Sequence, residues 1–158
     1  MKKSITMDSL SSIGAITSVC RSMFEVRGPL EVIVQDLDKS RSTAQNRLAF
    51  LWYKAAADQL EDGSAEEKRA YCKLHFGVPI RRGDDAFREV YDRVIRPLTY
   101  EQKLELMAGV IDFPVTRDMT TKDMKQYLEA VEVFFAGLLV DLPKPENLYL
   151  QSMGLKRG

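Results

Sequence analysis

The chain has 158 residues, 45% of them hydrophobic, which suits one domain with an ordinary core. Basic and acidic residues both number 23, so the net charge is zero and any affinity for nucleic acid must come from local patches. No apolar run approaches the roughly 20 residues that span a bilayer, and Met1-Lys2-Lys3 is not followed by an apolar signal core. We therefore expect a cytoplasmic protein that does not enter a membrane.

The first elements predicted along the chain are a helix and a short strand. Asp8 to about Glu25 has apolar residues at helical spacing, and Arg27-Gly28-Pro29 stops the pattern. Leu30 to Gln35 is rich in Val and Ile, which predicts a strand that enters a turn at residues 36–40.

Six further helices are predicted from their start and stop signals. The pairs Ser42 with Gln45, Ser64 with Glu67 and Thr99 with Gln102 have the spacing of a capping box, and Thr120 with Asp123 is a weaker version. These starts open helices that end near Leu60, Phe76-Gly77, Ile111 and Gly137, while Asp84–Ile95 stops before Pro97 and Pro145–Gly154 forms a short last helix. The last segment also differs by one residue from a common engineered protease site, so an expression remnant is the alternative.

These elements predict a helix-rich α+β fold. We expect one domain over residues 1–158, mostly helical, with a short strand or small sheet near the N-terminal third. An N-terminal helix occupies residues 1–28, and a short C-terminal helix and tail occupy residues 145–158. Cys20 and Cys72 lack metal-site spacing, so we expect reduced, buried thiols and no metal or other cofactor.

The most informative stretch begins at Lys39 and contains no Asp or Glu as far as Ala57. Its basic and amide side chains Arg41, Gln45, Asn46 and Arg47 lie at the predicted start of a helix. Free backbone N–H groups and the helix dipole favour an anion there. The alternative is an ordinary solvated helix start.

The two faces of this helix differ in chemistry. The stripe expected to meet the core comprises Ala44, Leu48, Leu51, Trp52, Ala55 and Gln59. The opposite side carries Arg47, Phe50, Tyr53, Lys54 and Ala57. Aromatic rings on a positive face suit base stacking beside phosphate-binding cations. A neighbouring helix or a dimer mate that covers the rings is the alternative.

A second acid-free window runs from Lys68 to Arg82. It contains Lys73, and its Val78-Pro79-Ile80 segment is expected to project Arg81 and Arg82 from a loop. These arginines could contact a nucleic-acid backbone. Pairing of the local arginines with acids at positions 84–92 is the alternative.

Two enzymatic readings rest on weaker patterns. Cys72 and His75 have helical spacing that could join a nucleophile to a base, although a packed cysteine near a polar histidine is simpler. The carboxylates of Asp84, Asp85, Glu89 and Asp92 have the density of a metal-dependent nuclease, although a charged amphipathic helix also explains them. Walker, GxGxxG and GxSxG motifs are absent from the sequence.

Several segments resemble a known family. Arg41-Ser42-x-x-Gln45-Asn46-Arg47, after the predicted strand and before an apolar helix with Trp52, resembles the signature of the phage NinB/Orf recombination proteins. Tyr71–Ile80 and Pro97-Leu98-x-Tyr100-Glu101-Gln102-Lys103 resemble the prophage YbcN-type members in particular. The resemblance extends from about Gly28 to Met153.

The resemblance implies a non-enzymatic protein that binds single-stranded DNA as a homodimer. It also implies contact with the host single-stranded-DNA-binding protein and assistance in recombinase loading; for YbcN-type members it implies base flipping, with Phe50, Trp52 or Tyr53 as the wedge. A base-flipping or structure-specific DNA-binding protein, a metal-dependent nuclease and a protein adaptor without DNA affinity are the alternatives. The residues expected at the DNA-binding surface are Arg41, Gln45, Asn46, Arg47, Phe50, Tyr53, Lys54, Lys73, Arg81 and Arg82.

Overall fold

The computed structural model describes residues 5, 7, 9–32, 34 and 43–156. Backbone contacts divide the chain into two compact units, Met1–Asp38 and Lys39–Gly158. The single domain predicted over residues 1–158 stays a prediction.

The first unit contains helix α1, Ser12–Arg27. The helix ends as predicted at Gly28, whose φ of +79° suits a residue without a Cβ and whose N–H donates to the Phe24 carbonyl at 2.8 Å. No residue of α1 is buried.

The strand predicted for Leu30–Gln35 is wrong where the structure can be compared with it. Leu30, Glu31, Val32 and Val34 have no regular secondary structure, and the described residues contain helices but no β-strand. The α+β class is therefore corrected to helical for these residues. Val and Ile favour a pleated surface, but a strand forms only where a second strand pairs with its N–H and C=O groups. Ile33, Gln35 and the turn at 36–40 lie outside the described residues.

The second unit contains the remaining described helices. They are α2 Thr43–Leu60, α3 Ala65–Cys72, α4 Val78–Arg81, α5 Asp85–Val90, α6 Tyr100–Met107, α7 Thr121–Gly137 and α8 Glu146–Met153. None of the helices in the described ranges has the length and apolar composition that crossing a bilayer requires.

Helix starts follow the predicted capping signals closely. The boxes formed by Ser64 with Glu67 and by Thr99 with Gln102 are both present, and Thr120 caps α7. The box predicted at Ser42 lies outside the described residues. Helix ends are predicted less well, since α6 ends at Met107 and not near Ile111.

Two π-helical segments, Lys73–Gly77 and Tyr91–Ile95, interrupt the α-helical pattern. In the first the Val78 N–H donates to the Lys73 carbonyl, and in the second Arg96 donates to Tyr91 at 2.9 Å. Each segment ends two residues before a proline, Pro79 or Pro97. A proline ring clashes with the carbonyl four residues earlier in a regular α-helix, yet the chain passes from the first π segment into α4, which contains Pro79. The helix predicted to stop at Gly77 therefore continues to Arg81.

The core of the second unit lies where α2 packs against α3, α7 and α8. Its largest fully buried apolar side chains include Leu48, Trp52, Met107, Met119, Met124, Tyr127, Leu128 and Phe135. Gly77 belongs to this close packing, since a Cβ at this position would lie 2.6 Å from Val115 Cγ1. Alanine cannot replace it without displacing the Val115 side chain.

The two cysteines differ in burial. Both are free thiols, as predicted. Cys72 is buried, and burial raises the pKa of its thiol, whereas Cys20 is only half-buried, so the prediction of burial is wrong for Cys20.

Replacing Leu139 by Gly is expected to raise the free energy of unfolding by about 0.5 to 1 kcal/mol. Leu139 follows α7 at a φ of +61°, and its side chain is 92% exposed, so glycine relieves backbone strain without losing packing. Urea denaturation measures the change. The matched control is Leu138→Gly, because Leu138 has a φ of −91° and should be destabilised by glycine. Equal changes in the free energy of unfolding for the two substitutions would show that the backbone is not strained at Leu139.

Candidate functional site

An open groove of about 800 Å³ lies between α2 and α8. Its lining residues are Asn46, Arg47, Phe50, Leu51, Lys54, Pro145, Asn147, Leu148 and Gln151. None of these nine is acidic. The groove therefore combines an apolar floor with amide groups and two cations.

Helix α2 provides the cationic side of this groove. Arg47, Phe50 and Lys54 are three and four residues apart, so they project from one side of the helix. Arg47 is exposed and lines the groove. Lys54 Nζ lies 2.6 Å from Asp58 Oδ2, but both side chains are mostly exposed, so this ion pair holds the ammonium weakly.

The Phe50 ring is held by its neighbours and remains 47% exposed. The Tyr53 ring meets it edge-on at 5.8 Å between centroids, and the Arg69 guanidinium lies 5.5 Å from its centroid. Arg69 is itself fixed by Glu66 at 2.8 Å and by Asp112 at 2.6 Å. A supported ring with an open surface is suited to stacking against a planar ligand.

A polar cluster behind Arg69 is organised by Asp112. Its Oδ1 accepts hydrogen bonds from Arg69 and, at 2.7 Å, from Lys73 Nζ. Partial burial acts to raise the pKa of Asp112, but the bonds from Lys73 and Arg69 outweigh it and lower that pKa. For Arg69, burial acts to lower the pKa, and the nearby carboxylates outweigh it and raise that pKa. The cluster thus keeps Arg69 charged above Phe50.

Three predicted surface residues are buried instead, and their predicted exposure is wrong. Gln45 is 0% exposed, and its Nε2 donates to the Thr121 carbonyl at 2.8 Å and to the Ser152 carbonyl at 3.1 Å. The Tyr53 hydroxyl lies 2.6 Å from the Tyr127 hydroxyl inside the core.

Lys73 is the third of these residues. Its ammonium donates to the Met107 carbonyl at 2.6 Å as well as to Asp112, and burial lowers its pKa. These three side chains connect helices within the unit and present no surface to a ligand.

The physical reason is that α2 buries a wider arc than one stripe. It packs against α3, α7 and α8, which covers Gln45, Ala49, Tyr53 and Ala56. Of the predicted stripe, Ala44, Leu48 and Trp52 are buried and Leu51 and Ala55 are half-buried, but Gln59 is exposed, so the prediction is wrong for Gln59. Trp52 is fully buried, as its place on the predicted stripe indicates, and its Nε1 donates to the Pro143 carbonyl at 2.8 Å. Arg41 lies outside the described residues.

The predicted loop is wrong for Arg81, which ends α4, whereas Arg82 lies in the turn that follows the helix. Arg81 Nη1 donates to the Asp118 carbonyl at 3.1 Å, and its guanidinium lies 4.9 Å from the Phe87 centroid. Arg82 makes two hydrogen bonds to Asp92, at 3.1 and 2.8 Å. Both arginines are therefore engaged within the protein and lie outside the groove.

The carboxylates of the nuclease alternative have structural partners. Asp84 caps α5 through the Phe87 N–H at 2.8 Å, Asp85 pairs with Arg88, and Glu89 lies 3.8 Å from Arg93. Within the ranges that the structure describes, no three His, Cys, Asp or Glu side chains come together as a metal site would require.

The Cys72 and His75 side chains also have separate surroundings. Cys72 is buried, whereas the exposed His75 ring stacks on Tyr71 at 4.1 Å and its Nε2 lies 2.9 Å from the Tyr100 hydroxyl. Desolvation raises the pKa of the Cys72 thiol and lowers that of His75. The thiol therefore stays protonated and inaccessible, which does not suit a nucleophile.

Sequence reasoning missed the α8 half of the groove. Asn147, Leu148 and Gln151 belong to a segment whose local pattern indicates only a short helix. They reach the site because α8 packs on α2, about a hundred residues earlier in the chain. Arg69 was also missed, because it lies on α3 and reaches Phe50 only through the packing of α3 on α2.

Comparison with known proteins gave no match, since no protein-family model, curated protein or solved structure is significantly similar to this chain. The resemblance to NinB/Orf proteins stays a prediction from the residues quoted above.

Proposed function

We propose that this chain is a non-enzymatic protein that binds single-stranded DNA through the groove between α2 and α8. The observation that supports this is a groove with two cations, an exposed and supported phenylalanine ring, and no acidic residue among its lining side chains. Phosphates can bind the cations while a base stacks on Phe50. Duplex DNA keeps its bases stacked inside the helix and leaves the ring without a partner.

The resemblance to NinB/Orf proteins extends the proposal to a biological setting. It supports a homodimeric, cytoplasmic protein of phage or prophage recombination that assists recombinase loading together with the host single-stranded-DNA-binding protein. Base flipping would add an extruded duplex base as a ligand of the same surface. The buried Tyr53 and Trp52 then leave Phe50 as the described ring with access to it.

Arg47→Gln is expected to weaken single-strand binding equally for all sequences and to reduce the salt slope by about 0.7 for each phosphate that is no longer neutralised. Fluorescence anisotropy with labelled single-stranded and duplex oligonucleotides, at two salt concentrations, measures both quantities. The matched control is Arg93→Gln, an exposed arginine outside the groove whose partner is Glu89 at 3.8 Å. A decrease in affinity that is equal in the two variants would overturn the groove assignment.

A protein adaptor is the second candidate, and the apolar floor formed by Phe50, Leu51 and Leu148 favours it. An adaptor would bind no DNA even at low salt and would instead bind a partner protein through the same groove.

The proposal that the protein is not an enzyme has its own test. Incubation of DNA with the protein and Mg²⁺ or Mn²⁺ should leave the DNA intact, and cleavage would overturn this part of the proposal.

A further inference from the structure

Asn46 and Gln45 are adjacent amides of α2 with opposite circumstances. The Gln45 amide is fully buried and donates to two backbone carbonyls. Asn46 lines the groove, and its Oδ1 is buried without a hydrogen-bond partner among the described residues. A buried acceptor that lacks a donor carries the whole cost of its desolvation, and folded proteins leave few such atoms. Because Oδ1 is buried, the amide must turn before a ligand in the groove can supply the missing donor.

The chemistry of DNA limits where that donor can come from. Phosphodiester and deoxyribose oxygens only accept hydrogen bonds, so a contact between Arg47 and the backbone leaves Asn46 unsatisfied. Nucleobases do carry donors, as exocyclic amines and ring N–H groups. The 2′-hydroxyl of RNA is the other donor that a nucleic-acid strand offers.

The position of Asn46 on α2 allows such a contact. Asn46 precedes Phe50 by one helical turn, and residues four apart lie on the same helix face. A base stacked on Phe50 can therefore present its edge to Asn46 while a neighbouring phosphate meets Arg47. Rotation about the Cβ–Cγ bond of Asn46, a broad torsion, turns Oδ1 towards that edge.

We infer that Asn46 contacts the edge of a nucleobase in the groove and makes binding depend on the bases as well as on the phosphates. The inference rests on the proposed single-strand binding. It assigns base recognition to Asn46 and leaves general electrostatic attachment to Arg47 and Lys54.

The test compares a single-stranded oligonucleotide with a strand of equal length in which the bases are replaced by abasic sites. Asn46→Ala is expected to weaken binding of the base-bearing strand by about 2- to 10-fold and to leave the abasic strand unchanged. Gln126→Ala, an exposed amide on α7 outside the groove, is the matched control and should change neither. The variant should keep its fold, because alanine favours the helix and removes an unpaired acceptor.

The outcomes separate the inference from the function on which it rests. If wild-type protein binds no strand, both the proposed function and the inference are wrong. If binding follows Arg47 and salt but Asn46→Ala has no effect on the base-bearing strand, only the inference fails. A decrease seen with RNA of the same sequence but not with DNA would assign the donor to the 2′-hydroxyl and would overturn base recognition.

Discussion

Asp112→Asn is expected to lower the free energy of unfolding by about 2 kcal/mol. The substitution leaves the Lys73 ammonium, which is 1% exposed, without its counter-charge 2.7 Å away. Removing one partner of a fully buried pair costs about 3 to 5 kcal/mol, and the smaller figure here reflects an Asp112 side chain that is 49% exposed. Asn tolerates the backbone φ of +42° at this position, so the measured decrease reports charge and not strain.

Urea denaturation of two further variants checks this explanation. Lys73→Met in the Asp112→Asn background should recover most of the stability, because it removes the uncompensated charge. Asp58→Asn, which removes the exposed partner of Lys54, is the matched control and should cost less than about 0.5 kcal/mol. Similar small decreases at Asp112 and Asp58 would refute the role of the buried pair.

The stability difference should also depend on pH in a defined direction. The pKa of Asp112 lies below its ordinary value, so its stabilising contribution is complete above the ordinary carboxyl pKa of about 4 and is lost as pH falls through the lower folded value. The difference in the free energy of unfolding between wild type and Asp112→Asn should therefore become smaller as the pH falls.

Trp52→Ala is expected to lower the free energy of unfolding by about 3 to 5 kcal/mol, the range for a large aromatic residue removed from a core. Trp52 has no exposed surface, and its indole N–H donates to Pro143. Phe50→Ala, two residues earlier on the same helix, should cost less than about 1 kcal/mol because Phe50 is half-exposed. Chemical denaturation of both variants measures the contrast.

Phe50 should matter more than Trp52 for binding, although Trp52 matters more for stability. Phe50→Ala should lose about 1 to 3 kcal/mol of single-strand affinity, the contribution of one stacked base. Trp52→Phe, a milder substitution chosen so that the protein stays folded, should bind as wild type does. Weakened binding in Trp52→Phe with normal binding in Phe50→Ala would show that Phe50 is not the stacking residue.

The parts of the fold that follow from sequence are those set by neighbours in the chain. Ser64 and Glu67 are three residues apart and satisfy each other's backbone partners, so the start of α3 can be read locally. The end of α1 at Gly28 is equally local. The stop predicted at Phe76-Gly77 is wrong, because the chain changes helix type at Lys73–Gly77 and continues as α4.

The candidate site depends on contacts that local patterns do not encode. Arg47, Phe50 and Lys54 could be placed on one face by helical spacing, and they do line one groove. Tyr53 could not be placed, since its burial requires the Tyr127 hydroxyl from a helix more than seventy residues away. Gln45 likewise has the composition of a surface residue, and its burial depends on the carbonyls of Thr121 and Ser152.

The π-helical segment Lys73–Gly77 also makes this part of the chain intolerant of a deletion. A residue removed from it would restore α-helical bonding and turn everything that follows by about 100° around the axis. Val78, which is 4% exposed, would then leave the core. The segment therefore sets how α4 is rotated about the helix axis relative to α3. A single deletion here should destabilise the fold more than most substitutions of its side chains.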